Sequence, residues 1–406
     1  MSSIQNQSAS LSICSAASIV LHGGFVVTGI VTTLIGPLLP ILIGRWSLSD
    51  QRAGLFFTAQ FCGSLLGVAS LGPLIERGYR HTFVCGFSLI AVGVAGLNLD
   101  TYPMGLAAAA VFGCGLGQEI SATNLWVAEV AGSRRVAALS ILNLMWGLGA
   151  IVCSPLVMLA QRHGAISWLL YAIAACSTLT AAVLAVMNFE PGSKSMQEEQ
   201  EEDEKQFRST PHQNISTRSS VSLGALFFLY VGSENSVAGW VAALAKRMNA
   251  GSGGSWALAP MFFWGGMLAG RALVPVLPVR RRERVLLGSG STLAVAGICF
   301  LLQVKTFAGV AIWVSAAGLG LAAIYPILVA WLVKAFGQRS RRIGASMFAL
   351  AGMGGASMPW FVGLLSTETG NLRAGLFVPL GGCLAMFALI STLHELVFRG
   401  ASQPED

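Results

Sequence analysis

The sequence predicts an all-α membrane protein with twelve transmembrane helices in two pseudo-symmetric six-helix bundles. Of its 406 residues, 54% are hydrophobic and only 11% are charged, with a mean hydropathy of +0.69. Soluble proteins carry about 25% charged residues, so this chain cannot cover a globule of its size with a polar surface. The apolar residues also fall into twelve long runs, and segments of the first half recur in the second half.

The twelve apolar runs define the expected helices, because about 20 apolar residues are needed to cross the hydrocarbon core of a bilayer. They lie at residues 14–40, 53–75, 82–98, 104–130, 136–160, 166–188, 220–246, 256–278, 285–303, 307–334, 342–366 and 374–398. The segment before the first run lacks Lys and Arg, so we expect that run to remain a membrane helix rather than a signal peptide. The cysteines lie in apolar runs without metal-ligand spacing, and we expect no metal site.

A polar segment separates the sixth run from the seventh. It carries the acidic stretch Glu198–Glu204 and has the composition of a disordered linker. The chain is therefore expected to form an N-terminal six-helix bundle (1–188), a cytoplasmic linker (189–219) and a C-terminal six-helix bundle (220–406).

The distribution of basic residues predicts the orientation. If both termini are cytoplasmic, 17 of the 25 Lys and Arg residues lie on the cytoplasmic side, in agreement with the positive-inside rule. We therefore expect an integral multi-pass protein of a bacterial inner (cytoplasmic) membrane with both termini inside. The net charge of +7 comes from these short loops, so no nucleic-acid partner is predicted.

The internal repeat points to a class of function. "SRRVAALSILNLMWGLGAIVCSP" begins the fifth run and "SRRIGASMFALAGMGGASMP" begins the eleventh, while "CGLG" and "AGLG" lie in the fourth and tenth. Such symmetry across a central linker is typical of transporters whose site lies near the midplane between two repeats. The sequence contains no Walker A string, HExxH motif or nucleotide fingerprint. We therefore predict a transporter, not an enzyme, and no cofactor.

Several short motifs follow one another along the chain. They are "LLP" (38–40), "WSLSDQRAGL" (46–55), "FLYVGSEN" (228–235), "AGR" (269–271), "IYP" (324–326), "FGQ" (336–338), "GG" (354–355) and "GN" (370–371). In these motifs the chain resembles the major facilitator superfamily and, within it, the fucose permease branch of sugar–proton symporters. The resemblance implies two bundles that rock about a central cavity, with an acid of the N-terminal half carrying the proton.

The sequence departs from that branch where the resemblance implies the proton-carrying acid. The position in the first helix, four residues before the Pro of "LLP", is Gly36. In the fourth helix, Glu119 lies two residues after Gly117 rather than three, and one residue corresponds to about 100° of helix rotation.

Three titratable residues inside the predicted spans are candidates for ion coupling: Glu119, Glu234 and His22. A carboxylate at the bilayer centre is costly unless it is paired, protonated or facing water, so Glu119 is expected to take up and release a proton near neutral pH. Glu234 is expected either to pair with Arg271 of the eighth span or to contact the solute or ion. A purely structural hydrogen bond is the alternative for Glu119, and packing or hydrogen bonding is the alternative for His22.

A second group of residues suits a neutral polar solute, because amides bind hydroxyl groups and aromatic rings stack on the apolar faces of sugars. These candidates are Gln60, Asn124, Asn143, Trp146, Asn235, Trp240 and Tyr325. Packing between helices is the alternative for each Trp. We expect Glu119, Glu234 and Asn143 to open onto one shared cavity.

Charged residues at the predicted cytoplasmic edge are candidates for gating. "GPLIERGYRH" (72–81) partly matches the superfamily's loop motif and carries Glu76, Arg77 and Arg80. The resemblance implies that Glu129 joins Arg77 and Arg80 in a charge cluster that closes an inner gate. Snorkelling of these side chains at the membrane edge is the alternative.

The sequence therefore favours a monomeric secondary transporter that takes up a sugar or similar small polar solute by alternating access, coupled to H+. Its partners are the small-molecule solute, the coupling ion and the lipid bilayer. Na+ coupling, an efflux antiporter for amphipathic organic compounds, and a membrane sensor on a transporter scaffold are the alternatives.

Overall fold

The computed structural model of the chain describes residues 2–187, 189, 217–248, 252–273, 283–336 and 340–398. Helices cover each of the twelve predicted spans within these ranges. Most of the predicted linker, with Glu198–Glu204, lies outside the described residues, as does the chain beyond residue 398. The boundaries 1–188, 189–219 and 220–406 therefore stay a prediction.

The N-terminal half contains eight α-helices and one short 3₁₀ turn, Gly132–Arg134, in the described chain. The helices are α1 (Ser2–Thr33), α2 (Ile35–Trp46), α3 (Asp50–Ala69), α4 (Leu71–Glu76), α5 (Tyr79–Gly96), α6 (Tyr102–Ala131), α7 (Arg135–Arg162) and α8 (Ile166–Val186).

The C-terminal half begins with α9 (Thr217–Arg247) and a 3₁₀ segment, Ser252–Leu258. It continues with α10 (Ala259–Leu273), α11 (Glu283–Leu301), α12 (Phe307–Leu321), α13 (Ile324–Phe336), α14 (Ser340–Thr369), α15 (Leu372–Gly375) and α16 (Phe377–Phe398). Across the described chain, seven helical stretches are long and apolar enough to cross a membrane by length and composition. The other predicted spans are helical but shorter or less apolar.

The first and the tenth predicted spans are each divided between two α-helices of twelve residues or more. The first is divided at Leu34 into α1 and α2, and the tenth is divided at residues 322–323 into α12 and α13. In both cases a proline lies in the first turn after the break, Pro37 in α2 and Pro326 in α13. Proline is tolerated there because the first turn of a helix has no internal partner for its N–H group.

The two halves repeat one packing scheme. In the N-terminal half α1 packs against α7, α3 against α6, and α5 against both α6 and α8. The C-terminal half has the same pairs displaced by six spans: α9 with α14, α10 with α12, and α11 with α12 and α16. The predicted pair of pseudo-symmetric bundles is confirmed.

The repeated "GLG" motif explains how closely the helices of each bundle approach. A Cβ atom on Gly117 would overlap the carbonyl oxygen of Ser64 in α3, and one on Gly318 would overlap that of Phe263 in α10. The other glycine of each motif, Gly115 or Gly320, meets α5 or α11 in the same manner. Each glycine pair thus lets one central helix contact two neighbours backbone to backbone.

We therefore expect Gly117→Ala to lower the free energy of unfolding by about 1–3 kcal/mol, because the added methyl group pushes α3 and α6 apart. The melting temperature of the purified protein measures this effect. Gly23→Ala is the matched control, since no atom lies within 4 Å of a Cβ at that exposed position. Equal melting temperatures for the two variants would contradict the packing described here.

The two halves contact each other through a few helices. α3 packs along α14, α7 along α10, and α2 against α9. Polar contacts between the halves lie mainly at the predicted extracellular end, where Lys246 donates to the carbonyl of Pro40 (3.0 Å) and Arg162 donates to that of Gly253 (2.7 Å). No hydrogen bond between described residues joins the halves at the other end. With the predicted orientation, the protein is closed to the outside.

Candidate functional site

The first candidate site is a group of ionisable side chains inside the C-terminal half. Tyr230 and Glu234 lie one turn apart on α9, Arg271 lies near the end of α10, and Tyr325 lies in the first turn of α13. Glu234 is only 8% exposed, and the rings of Tyr230 and Tyr325 lie 5.5 Å apart. The Arg271 guanidinium interacts electrostatically with Glu234 and with both tyrosines. We call these four residues the Glu234 cluster.

The predicted ion pair between Glu234 and Arg271 is wrong for this conformation. In the described part of the chain, the ion pairs are Arg45–Asp100 and Arg247–Asp50. The reason is that α9 packs mainly against α14 and α16 whereas α10 packs mainly against α12, so helices adjacent in sequence are only loosely adjacent in space.

The Glu234 cluster contains polar atoms that lack a well-formed hydrogen bond. The Tyr230 hydroxyl and the Arg271 Nε are buried and make no hydrogen bond of good geometry, although the Tyr230 hydroxyl lies close enough to interact with both Glu234 and Arg271. A buried polar group without a partner costs about 1–3 kcal/mol. The cluster therefore has hydrogen-bonding capacity that water, a proton or a solute can use.

Glu119 lies in a packed interface within the N-terminal half. It has no exposed surface, and one carboxylate oxygen accepts a hydrogen bond from Thr123 Oγ1 (2.8 Å) while the other has no partner. A Cβ on Gly86 of α5 would lie 3.1 Å from the Glu119 Cβ. Trp126, on the same helix face, packs its ring edge against Phe189 with a centroid distance of 5.5 Å. Glu119, Thr123 and Trp126 therefore share one face of α6, and this face is directed at α5 and Phe189.

The expectation that Glu119, Glu234 and Asn143 open onto one shared cavity is therefore wrong. Glu119 is fully buried and Asn143 is exposed on α7. On α6, Gly113 and Gly117 meet α3, whereas Gly115 meets α5. Because Glu119 is one turn after Gly115, helix geometry directs it at α5 as well.

A second candidate site combines aromatic and polar groups from both halves. Trp146 of α7 packs edge-to-face against Trp264 of α10, with ring centroids 5.3 Å apart. Its indole N–H donates to Thr32 Oγ1 of α1 (3.4 Å), and Gln60 Nε2 of α3 donates to the Thr32 carbonyl (2.9 Å). We call Thr32, Gln60, Trp146 and Trp264 the Trp146 cluster. Two of the predicted solute-binding residues are thus brought together, and Trp264 is added.

The three predicted asparagines share one local geometry. The Nδ2 groups of Asn124, Asn143 and Asn235 donate to the carbonyls of Ile120, Leu139 and Val231, one turn earlier on the same helix. These bonds orient each side chain along its helix while the Oδ1 atom remains an acceptor for a solute. No hydrogen bond between described side chains joins the asparagines to one another.

Trp240 does not line a solute site. Its side chain is fully buried, its N–H donates to the Pro359 carbonyl (2.8 Å) and its ring packs near Phe57 at 6.4 Å. Phe57 belongs to the N-terminal half, so Trp240 fills the interface between the halves near the predicted extracellular end. The prediction that it binds solute is wrong for this conformation, because no surface of the ring is free.

The chain's relationship to known proteins agrees with this architecture. Residues 21–348 match the sequence profile of the Major Facilitator Superfamily. The chain belongs to this superfamily. It is therefore a multi-pass membrane transporter, and the predicted superfamily resemblance is confirmed.

Individual superfamily members and other relatives are distant in sequence. "Bypass of stop codon protein 6" of Saccharomyces cerevisiae is 23% identical over 413 residues, covering 93% of this chain and 82% of the yeast protein. A partially occluded, inward-open structure of the Escherichia coli xylose transporter XylE has a TM-score of 0.73 at 14% identity, covering 94% of this chain and 98% of XylE.

Two further solved structures share the superfamily fold. An inward-facing bacterial homologue of the human lysosomal transporter Spinster has a TM-score of 0.66 at 16% identity, covering 95% of both chains. A variant of the E. coli fucose:proton symporter FucP has a TM-score of 0.60 at 18% identity, covering 95% of this chain and 98% of FucP.

The cytoplasmic charge cluster implied by the superfamily resemblance is not formed in this conformation. Glu129 accepts a hydrogen bond from Tyr79 Oη (2.6 Å), and burial raises the pKa of this Tyr79 phenol. Glu76, Arg77 and Arg80 are exposed and make none of the ion pairs between described residues. The expected Glu129–Arg77–Arg80 cluster is wrong here because Tyr79, at the start of α5, occupies the carboxylate.

His22 makes hydrogen bonds within its own helix. Its Nδ1 lies 2.6 Å from the Ser18 carbonyl and 3.3 Å from the Ser18 hydroxyl. The described structure places it in neither the Glu234 cluster nor the Trp146 cluster. This geometry favours the structural alternative, and a coupling role for His22 stays a prediction.

Sequence reasoning missed Asp50, the acid that accepts the most side-chain hydrogen bonds among the described residues of this superfamily member. Asp50, in the first turn of α3, is 7% exposed and binds Arg247 and Ser366 of the other half. Its position in a short polar segment between two apolar runs is typical of a solvated loop residue. The signal available was "WSLSD" itself, in which Ser49 caps α3 by accepting from the Arg52 N–H (3.3 Å).

Proposed function

We propose that this transporter moves a sugar or similar small polar solute across the membrane by alternating access, coupled to H+. The observation that carries the proposal is the Trp146 cluster. It is a tryptophan pair that spans both halves, with a buried amide and a hydroxyl beside it.

The chemistry of the Trp146 cluster suits a neutral polyhydroxy solute. An indole face stacks on the apolar face of a pyranose ring, and amide and hydroxyl groups bind its hydroxyl groups in the ring plane. Trp146 is half-buried and Trp264 is 5% exposed, so a small rearrangement between the halves suffices to expose both rings. Because α7 and α10 belong to different halves, rocking of the bundles changes the distance between the two rings.

The proton is assigned to the Glu234 cluster. Glu234 combines slight exposure with a nearby guanidinium and two tyrosines, so its charge can be balanced either by Arg271 or by a bound proton. A carboxylate that alternates between such states is a suitable coupling site in a membrane. Glu119 is the second coupling candidate, and its complete burial makes proton exchange slower.

The names of the structural relatives support this choice of solute and ion. FucP is a fucose:proton symporter and XylE is a xylose transporter, and both share the fold of this chain. At less than 20% identity they support the proposal by fold alone.

Uptake of radiolabelled monosaccharides into proteoliposomes tests the proposal. We expect accumulation when the lumen is alkaline and collapse of the accumulated sugar on addition of a protonophore. Accumulation driven only by a Na+ gradient would overturn proton coupling. A melting temperature raised only by amphipathic organic compounds, and not by any sugar, would favour the efflux antiporter.

We expect Trp146→Ala to raise the KM for the transported sugar about two- to tenfold, because an aromatic contact contributes about 0.5–1.5 kcal/mol. Initial rates of uptake over a range of sugar concentrations measure this change. Trp168→Ala is the matched control, since Trp168 is 76% exposed on α8. An unchanged KM for Trp146→Ala would remove the Trp146 cluster from solute binding.

A further inference from the structure

Asp50 begins α3 at the predicted extracellular end, where the two halves meet. The preceding Ser49 is the N-cap of the helix, and a carboxylate in the first turn is stabilised by the helix dipole. Local contacts within the N-terminal half therefore help to position Asp50 at the start of α3.

The Asp50 carboxylate contacts two helices of the C-terminal half. Both of its oxygens accept hydrogen bonds from the Arg247 guanidinium of α9, one of them at 2.8 Å, and one also accepts from the Ser366 hydroxyl of α14. The next residue extends this contact, because the Gln51 N–H donates to Thr367 Oγ1 (2.9 Å). Asp50 is thus the point at which one half binds both α9 and α14.

The surroundings make this contact stronger than an ordinary surface ion pair. The side chain of Asp50 is 7% exposed and that of Arg247 is 42% exposed, and a two-bond arginine–carboxylate pair is among the strongest charged hydrogen bonds. The neighbouring Lys246 lines two cavities, whose volumes are about 290 Å³ and about 340 Å³. Among the described residues that line them, neither cavity has an acidic side chain, and Asp50 is the acidic partner of the adjacent Arg247.

We infer that Asp50, with Arg247 and Ser366, forms the extracellular gate that holds this transporter closed to the outside. Opening that end requires α9 and α14 to move away from α3, which leaves Asp50 and Arg247 unpaired. The inference rests on alternating access between the two halves and not on the identity of the solute or ion.

Labelling of a cysteine placed at Ala243 tests the inference. Ala243 is 2% exposed, so we expect a cysteine there to react slowly until the halves separate. In purified protein in nanodiscs we expect Asp50→Asn to raise the labelling rate with a charged maleimide about tenfold. Peptide mass spectrometry at position 243 separates this signal from the native cysteines.

The controls separate gating from general damage. Asp100→Asn is the matched variant, because Asp100 pairs with Arg45 at the same end but within the N-terminal half (3.8 Å); its labelling rate should equal that of the parent. Arg247→Gln should reproduce the effect of Asp50→Asn, and the double variant should add little to either, which keeps the test valid if one variant fails to fold. Parental labelling rates in both single variants, or equally fast labelling in Asp100→Asn, would overturn the inference.

Discussion

Glu234→Gln should abolish accumulation of solute against its gradient while leaving solute exchange intact. A gradient of one pH unit supplies about 1.4 kcal/mol per proton, which supports an accumulation ratio of about ten when one proton moves with each solute. Glutamine keeps the shape of the side chain but cannot carry the proton, so the expected ratio falls to one. Counterflow of labelled solute between preloaded vesicles and medium should continue, because that exchange needs no net proton movement.

Glu119→Gln is the matched control for this prediction, since both acids are buried in the middle of a bundle. With its Thr123 contact retained and no path to solvent, the Glu119 variant should still accumulate solute. If Glu119→Gln abolishes accumulation and Glu234→Gln does not, the proton belongs to the N-terminal half, as the superfamily resemblance implies.

Arg271→Gln should destabilise the protein more than any other single charge removal in the C-terminal half. The substitution removes the cation that interacts with Glu234, Tyr230 and Tyr325, so Glu234 is left as a buried charge without compensation. Loss of one member of a buried charged pair costs about 3–5 kcal/mol. Because Arg271 and Glu234 make no direct ion pair, we expect a loss of about 3 kcal/mol, at the low end of that range, measured from the melting temperature in detergent.

The double variant Arg271→Gln/Glu234→Gln checks the cause of that loss. Removing both charges should recover much of the lost stability, since no uncompensated charge remains. The double variant should nevertheless fail to accumulate solute. Additive losses of stability in the double variant would show that Arg271 stabilises the fold through packing rather than through charge.

The fold was predictable from sequence because its main determinant is local. Apolar runs of membrane-spanning length identify helices without knowledge of their partners, and each of the twelve runs is helical in the described chain. The breaks at Leu34 and at residues 322–323 were also readable in principle, since Pro37 and Pro326 follow each break in the first turn of the next helix.

The site was less predictable from the sequence. The spacing of residues along the chain determines only the relative directions of their side chains around one helix, not which neighbouring helix each side chain faces. Residues spaced like Glu119, Thr123 and Trp126 share one face of a helix, but the rotation of α6 against its neighbours depends on its glycines and on the backbones that they meet. The partners of Asp50 are 197 and 316 residues away in sequence. A contact of that separation leaves no periodic pattern, and a polar interhelical segment resembles any solvated loop.

The glycines of α14 set the angle between the two bundles. A Cβ on Gly352 would lie 2.8 Å from Leu65, and a Cβ on Gly355 would lie 2.5 Å from Phe61. The side chains of α3 therefore pack directly against the backbone of α14 at these two glycines. We therefore expect side-chain volume along this line to influence the equilibrium between the inward-open and outward-open states. Substitution of either glycine by a larger residue is therefore expected to change the rate of transport more than its affinity or selectivity.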